Sequence, residues 1–486
     1  MNLITQSHSD CKRPRSINVA APSRWIFRLR TLATGVVLLL SANIHAGVVC
    51  AQPAQTTVSN TDSLSLERPN ATTVPPGDTS SSPQGTASLL TLDQLVADAL
   101  RENPRLKSAR ALWEAMLQRP AREGTLSNPT FEYNAMDVPD GGNWPNTNEK
   151  RFMIEQEFSW FGKLGLRSRV AAKDAEAMQR DYEAMQRDVI QMVRESYYDL
   201  YGVQLSSSIT RAEEDVLKRM ETVAMTKYST GEVSQQDVLK AQAEISMLRQ
   251  TLYDLEQQET ILQAKINQLL NRRADAPLGL AVTPPDSALD FDLEHLFAAA
   301  EKNRPEIKGA QAQIDRSQAE RDLMKKEFFP DYRLGVEYRS LGNSDDMMMF
   351  TVGLDLPIWH GKYKAGVREA EKMIESNEAA KEAAENQVAF DVRDAQFKLH
   401  TARRTLDLYR NALVPQAQAR FDASEAGYRT GKGDFLDLLE SERFLLNARV
   451  MAAMAEASVG VETARLERAV GTDLSPAADN MDGDEK

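Results

Sequence analysis

The chain has 486 residues, of which 42% are hydrophobic and 27% charged, and a formal net charge of −13. The first 51 residues carry six Lys or Arg and one Asp, a net +5, so the chain beyond Ala51 carries −18. Binding nucleic acid requires clustered cations to neutralise phosphates, and an acidic chain with no dense Lys/Arg run is excluded from that class.

The N-terminus has the order of a secretory signal: a basic stretch from Arg24 to Arg30, an apolar run from Leu32 to Leu40, and small residues ending in Val49-Cys50-Ala51. The run is too short to span a bilayer, and the pattern predicts a signal peptide over residues 1–51, cleaved near Ala51. A retained N-terminal anchor is the competing reading. Gly47-Val48-Val49 lacks the Leu and the small residue that a lipid-attachment motif places before its cysteine, which argues against acylation of Cys50. Cleavage after Ala51 removes both cysteines, Cys11 and Cys50, and with them disulfides, thiolate metal sites and thiol catalysis. Residues 52–90 are rich in Ser, Thr, Pro, Gln and Asn without an apolar period, the composition of a disordered linker. The acidic stretch 473–486 has the same character. No later segment reaches about 18 consecutive apolar residues, so a membrane role has to use strands.

Between linker and tail the sequence is duplicated at a shift of about 200 residues. Asn103-Pro104-Arg105-Leu106-Lys107 recurs as Arg304-Pro305-Glu306-Ile307-Lys308, Pro129-Thr130-Phe131 as Pro330-Asp331-Tyr332, and Trp160-Phe161-Gly162-Lys163 as Trp359-His360-Gly361-Lys362. Tyr228-Ser229-Thr230-Gly231 recurs as Tyr428-Arg429-Thr430-Gly431, each followed after five intervening residues by an Asp, Asp237 or Asp437. Two copies of one unit are therefore expected over 91–273 and 290–472.

Each copy opens with apolar residues three and four apart, Leu92, Leu95, Val96, Ala99 and Leu100 or Leu293, Leu296, Phe297 and Ala300. This predicts helices running to about Gly124 and Phe328, with Pro120 breaking or bending the first. The period then falls to two. Phe131, Tyr133 and Ala135, then Phe152, Ile154 and Phe158, alternate with polar residues in the first copy. Tyr332, Leu334, Val336 and Tyr338, then Phe350, Val352, Leu354 and Leu356, do so in the second. Four strands of roughly nine residues, paired as hairpins, have the length of tilted membrane-barrel strands. A soluble sheet alternates in the same way. Four strands close no barrel and lipid forbids an open edge, so membrane-embedded strands require several subunits to share one barrel.

After each hairpin comes a very long helix. Leu166 to Lys227 holds no Pro and one Gly, and at about 1.5 Å per residue it extends on the order of 90 to 100 Å. The chain turns at Gly231, where a residue lacking Cβ ends a helix, and returns through Val238, Ala241, Ile245, Leu248 and Ile266. Opening and returning helices together nearly match the long one, so they are expected to stack end to end beside it. The second copy repeats the plan, with Pro415 as its expected kink.

The duplicated openings, the strand-to-helix turns at Phe161-Gly162-Lys163 and His360-Gly361-Lys362, the Val414-Pro415-Gln416 step and the Tyr-x-x-Gly turns resemble those of the TolC-like outer membrane efflux protein family, over residues 92 to 472. The resemblance implies an α/β membrane protein: a homotrimer in which each subunit gives four strands to one twelve-stranded transmembrane β-barrel and its helices to a long periplasmic α-helical barrel. It also implies a passive exit duct in a Gram-negative outer membrane, meeting a periplasmic adaptor protein and an inner-membrane pump of RND type at the helical tips, Tyr228, Gly231 and Asp237 with Tyr428, Gly431 and Asp437. The Trp-x-Gly-Lys turns are most similar to the branch that exports heavy-metal cations.

Among single residues, the acids near the turns have two readings. Asp237, Glu244, Asp437, Glu440 and Glu442 would ring the narrow end of a tunnel and favour cations, or Asp237 and Asp437 would cap their helices. Met347-Met348-Met349 could be a soft-metal site of thioethers, its other reading being lipid-facing or packing side chains at the start of an apolar strand. The five His are scattered without ligand spacing, Gly162 and Gly361 are turn glycines outside any phosphate-loop pattern, and no nucleophile, metal set or cofactor loop indicates an enzyme. Competing functions are a soluble periplasmic coiled-coil adaptor or scaffold, and an outer-membrane duct for type I protein secretion.

Overall fold

The computed structural model describes residues 89–136, 149–282, 292–342 and 344–474. The signal segment 1–51, nearly all of the 52–90 linker and the tail from 475 lie outside the described residues.

The first copy contains β1 (Leu89–Leu90), α1 (Leu92–Glu102), α2 (Pro104–Met116), α3 (Arg119–Glu123), β2 (Thr130–Met136), β3 (Glu149–Phe158), α4 (Lys163–Ser229) and α5 (Gln235–Leu269). The second contains β4 (Leu280–Ala281), α6 (Leu293–Asn303), α7 (Pro305–Lys326), β5 (Asp331–Leu341), β6 (Met347–Asp355), α8 (His360–Leu408), α9 (Val414–Arg429) and α10 (Phe435–Val470). At 67 residues, α4 extends about 100 Å.

The opening helix is broken earlier than its apolar period implies. In the first copy the break falls at Asn103, whose side chain accepts from the backbone N–H of Arg105 (2.9 Å) and Leu106 (3.3 Å), while Pro104 takes the first helical position, where its missing N–H costs nothing. A second break, at Leu117 and Gln118, precedes Pro120, which sits in the first turn of α3 and starts a helix where a bend within one was expected. In the second copy the break falls at Arg304, and α7 runs uninterrupted to Lys326.

The end-to-end stacking is made by these same break residues. Asn103 Nδ2 donates to the carbonyl of Leu269, the last residue of α5, at 2.9 Å. In the second copy Arg304 donates to the carbonyl of Arg468 near the end of α10 at 2.9 Å, and to Asp391 of α8 at 3.0 Å. Each junction is wrapped by a matching core: Leu95, Ala99, Leu106, Val189, Val193 and Ile266 in the first copy, and Leu296, Ala300, Ile307, Val388, Val392 and Leu466 in the second. The two copies meet along α4, which packs on α7 and α10 as well as on α5. A further core joins both hairpins near their turns, through Leu217 and Ala224 of α4, Val238 and Ile245 of α5, and Phe435, Leu438 and Leu439 of α10. Helix α10 is long and apolar enough to cross a bilayer by length and composition, but it packs against α4, α8 and α9.

Three further features differ from the sequence expectation. Leu89 and Leu90, read as linker, form a parallel bridge with Leu280 and Ala281, clamped by the Tyr197 hydroxyl, which donates to the Val282 carbonyl (2.7 Å) and accepts from its N–H (2.9 Å). Leu474, read as the start of the tail, is buried in the second-copy core. The irregularity foreseen at Pro415 is a π-helical turn over Tyr409–Leu413. The wider turn accommodates a residue that has no N–H to donate and whose ring crowds the carbonyl four residues back.

Candidate functional site

The four longer strands form one antiparallel sheet in the order β2-β3-β5-β6, so the hairpins of the two copies pair through β3 and β5. The register sorts side chains cleanly onto two faces. Phe131, Ile154, Val336 and Phe350 form one cross-strand row, Tyr133, Phe152, Tyr338 and Met348 the next, and Leu334 pairs Val352 beyond. These side chains are exposed, Phe350 and Val352 by 73% and 72%. An apolar face this open has to be covered by lipid or by another chain.

The opposite face is ionic. Glu337, 4% exposed, receives Arg151 at 2.8 Å and Arg339 at 3.1 Å, and Arg339 reaches Glu149 at 3.2 Å. Arg333 joins Asp355 at 2.8 Å. The Met run is divided between the faces: Met348 lies in the apolar row, whereas Met347 and Met349 pair with Arg339 and Glu337 on the ionic face. Among the described residues no group of three or more His, Cys, Asp or Glu could hold a metal ion.

Sheet and helices are joined at Lys163, the last residue of the first Trp-x-Gly-Lys turn. It is 1% exposed and its Nζ donates to Asp331 (3.0 Å), Glu327 (3.2 Å) and the Phe329 carbonyl (3.0 Å), all in the second copy. The Trp160 ring stacks on Phe329 at 5.5 Å and the Trp160 backbone N–H donates to Asp331 Oδ1 at 2.6 Å. The second turn does not repeat this burial: Trp359 is 73% exposed and Lys362 lies over the Tyr363 ring. Similar sequence thus serves an internal joint in one copy and an open surface in the other.

At the other end of the helices the two Tyr-x-Thr-Gly turns have the same construction. Gly231 and Gly431 adopt φ of 77° and 71°, the left-handed conformation that costs glycine least. The following N–H groups of Glu232 and Lys432 donate back to Lys227 and Gly427, each at 2.9 Å, closing the helix. The Thr230 hydroxyl donates to the same Lys227 carbonyl and the Thr430 hydroxyl to that of Ala426, each at 3.0 Å, a role not recognised in the sequence motif.

The two tyrosines differ. Tyr228 is exposed, whereas Tyr428 is buried beneath Lys227, whose Nζ lies 4.6 Å from the ring centre and donates to the Tyr428 carbonyl at 2.6 Å. Burial, with Asp237, Asp434 and Glu232 nearby, pushes the Tyr428 phenol up to about 12, so it stays protonated.

The five acids separate as well. Asp237 and Asp437 both fall in the first turn of their helices, where a negative charge favours the helix N-terminus, but neither makes the side-chain cap, because Ser234 and Asp434 occupy the cap positions. Asp237 is half-buried, 3.8 Å from Lys240, and Asp437 and Glu440 are exposed. Glu244 is buried and bound by both branches of Arg443. Glu442 is 1% exposed. Glu244 and Glu442 are therefore interior groups of the chain.

The sequence pattern of the outer membrane efflux protein family matches residues 95–272 and 296–472, one match in each copy. The chain belongs to the outer membrane efflux protein family. Over 155 residues it is 25% identical to the cobalt-zinc-cadmium resistance protein CzcC of Cupriavidus metallidurans, a match covering 31% of this chain and 36% of that protein. The fold is similar to the open state of the MtrE outer membrane channel of Neisseria gonorrhoeae, with 20% identity, 79% of this chain and 89% of that one covered, and a TM-score of 0.67. It is also similar to the CmeC outer membrane channel of Campylobacter jejuni, with 16% identity, 85% and 97% covered, and a TM-score of 0.66. This efflux protein is thus an outer-membrane protein with a channel fold, and its family and structural neighbours are transport proteins. The apolar sheet face is the surface such a location requires.

Proposed function

We propose that three copies share one twelve-stranded barrel continued by a periplasmic helical tunnel, forming the passive exit duct of a tripartite efflux system. The observation that carries this reading is the sheet itself: an exposed apolar face backed by an ionic face, ending in two unpaired edges, β2 and β6. Lipid tolerates no open edge. All four strands alternate in direction, so β6 of one copy runs antiparallel to β2 of the next and closure continues the same pairing. The hairpin turns, with Tyr228, Gly231 and Asp237 on one and Tyr428, Gly431 and Asp437 on the other, then dock a periplasmic adaptor protein that links the duct to an inner-membrane pump of RND type. The partial likeness to a cobalt-zinc-cadmium resistance protein supports divalent metal cations as cargo. The chain does no chemistry on them, and the pump supplies the driving force.

The test is the mass of the detergent-extracted, unheated protein measured by light scattering after separation of inner and outer membranes. A trimer in the outer-membrane fraction is the expected result. A dimer would overturn the twelve-stranded barrel, and a water-soluble species would overturn the membrane sheet. Loss of the gene should lower tolerance to cobalt, zinc and cadmium, and unchanged tolerance to all three would remove the cargo assignment.

A further inference from the structure

Glu213 on α4 and Glu442 on α10 are the most deeply buried carboxylates among the described residues, at 2% and 1% exposure. They lie at one level of the interface between the two helical hairpins, one turn from Leu217 and Leu438 in the shared core. Neither carboxyl oxygen of Glu442 has solvent contact or an N–H or O–H donor from a neighbouring basic or polar group. The surrounding cations are committed elsewhere. Arg443, beside Glu442 on α10, is held by Glu244 of α5. Arg449 of α10 stands 3.6 Å from Glu213 and gives its other nitrogen to Gln418 of α9 at 2.6 Å. Arg219 of α4 acts only at longer range on Glu213.

Two adjoining carboxylates in a dry interface cannot both ionise, because each charge raises the cost of the other and burial penalises both. The arrangement is asymmetric: burial pushes both carboxyls up, but Glu213 has Arg449 3.6 Å away to favour its charge, whereas Glu442 faces Glu213 and Glu244 with only the Glu244-bound Arg443 acting on it, so the proton falls to Glu442. We propose that Glu213 and Glu442 share one proton as a latch that keeps the second helical hairpin against the first, and that losing this proton in alkaline medium loosens the α4–α10 contact and opens the periplasmic end of the duct. The gating consequence rests on the duct reading above, whereas the shared proton does not.

Burial and the Glu213 charge push Glu442 up to about 8 from an ordinary 4.5. A carboxyl raised in this way binds its proton more tightly in the folded chain. Its contribution is therefore full below about 4.5, declines as pH rises, and is lost above about 8. The pair titrates as a unit.

The experiment uses the full chain reconstituted in lipid, with wild type, E442Q and E213Q compared from pH 6 to 9.5. Glutamine at 442 keeps a donor toward Glu213 but has no proton to release. Wild-type open probability is expected to rise several-fold as pH crosses 8, and E442Q to stay at its neutral-pH value. E213Q, which removes the neighbouring charge, should shift the transition to lower pH. An undiminished transition in E442Q would overturn the latch. The infrared band of a protonated carboxyl is read on the same samples: it should be present in wild type at pH 7, vanish above 8 and be missing from E442Q. If it is absent from wild type at pH 7 the shared proton is refuted. Loss of the band on schedule with no conductance at any pH would refute the duct and leave the proton pair standing. Intact oligomers on unheated gels show that each variant has folded.

Discussion

Lys163 illustrates what one residue does when its partners lie in the other copy of the repeat. Its ammonium has left water entirely and is met by two carboxylates and a carbonyl at 3.0 to 3.2 Å, so removing it leaves Asp331 without its cation and Glu327 with only Arg167, 3.6 Å away. Breaking a fully buried ion pair costs about 3–5 kcal/mol. Here the acids are 25% and 18% exposed and recover some hydration, which lowers the expected loss for Lys163→Met to roughly 2–3 kcal/mol. The same change at Lys362, an exposed residue, should cost under about 0.5 kcal/mol. Thermal dissociation of the purified oligomer measures both, and equal effects would contradict the asymmetry of the two turns. Asn103 and Arg304 act on the same principle, since each closes one helix and holds the last turn of another.

Among the elements, the strands follow most directly from sequence, because side-chain alternation alone fixes which residues share a face. Adjacent residues on β6 therefore predict opposite outcomes. Phe350→Arg places a charge on the apolar face and should cost about 2–4 kcal/mol if the site lies near the bilayer midplane. Thr351→Arg, one residue on, adds the same charge to the ionic face beside Glu155 and Gly335 and should leave assembly intact. Yield of unheated oligomer in the outer membrane distinguishes them, and equal yields would mean that lipid does not touch this face. The long helices, the glycine turns and the duplication were legible for similar reasons, each being a local period or a short motif. The break at Asn103 and the π-helical turn before Pro415 were foreshadowed by proline but not located, since propensity marks a weak point without saying how the backbone relieves it. Glu442 and Glu244 could be named as acids near a turn, yet their burial depends on α4 and α10 meeting from opposite ends of the chain. A sequence period shows a face, never the partner across it.

In the trimeric duct proposed above, burial within the chain narrows the candidate acids of the tunnel end to a smaller set of residues. Of the five acids, Glu244 is bound to Arg443 and Glu442 carries a proton, which leaves Asp437 and Glu440 exposed beside the exposed cap residue Asp434, with Asp237 partly sheltered by Lys240. Threefold repetition would multiply whatever these present to the lumen. Replacing Asp437 by Asn and Glu440 by Gln together should therefore lower the preference for cations over anions, read as a smaller reversal potential across a salt gradient. The difference should be greatest in dilute salt, because the screening length is about 30 Å at 0.01 M and only about 10 Å at 0.1 M. Glu244→Gln should behave differently. It removes one half of an ion pair that ties α5 to α10, so it should leave selectivity unchanged and instead make the hairpins easier to separate, seen as faster proteolysis near the turns. If Glu244→Gln altered selectivity as strongly as the double variant, the carboxylate would have to face the lumen in the assembled duct, and the separation of structural from lumenal acids would fail.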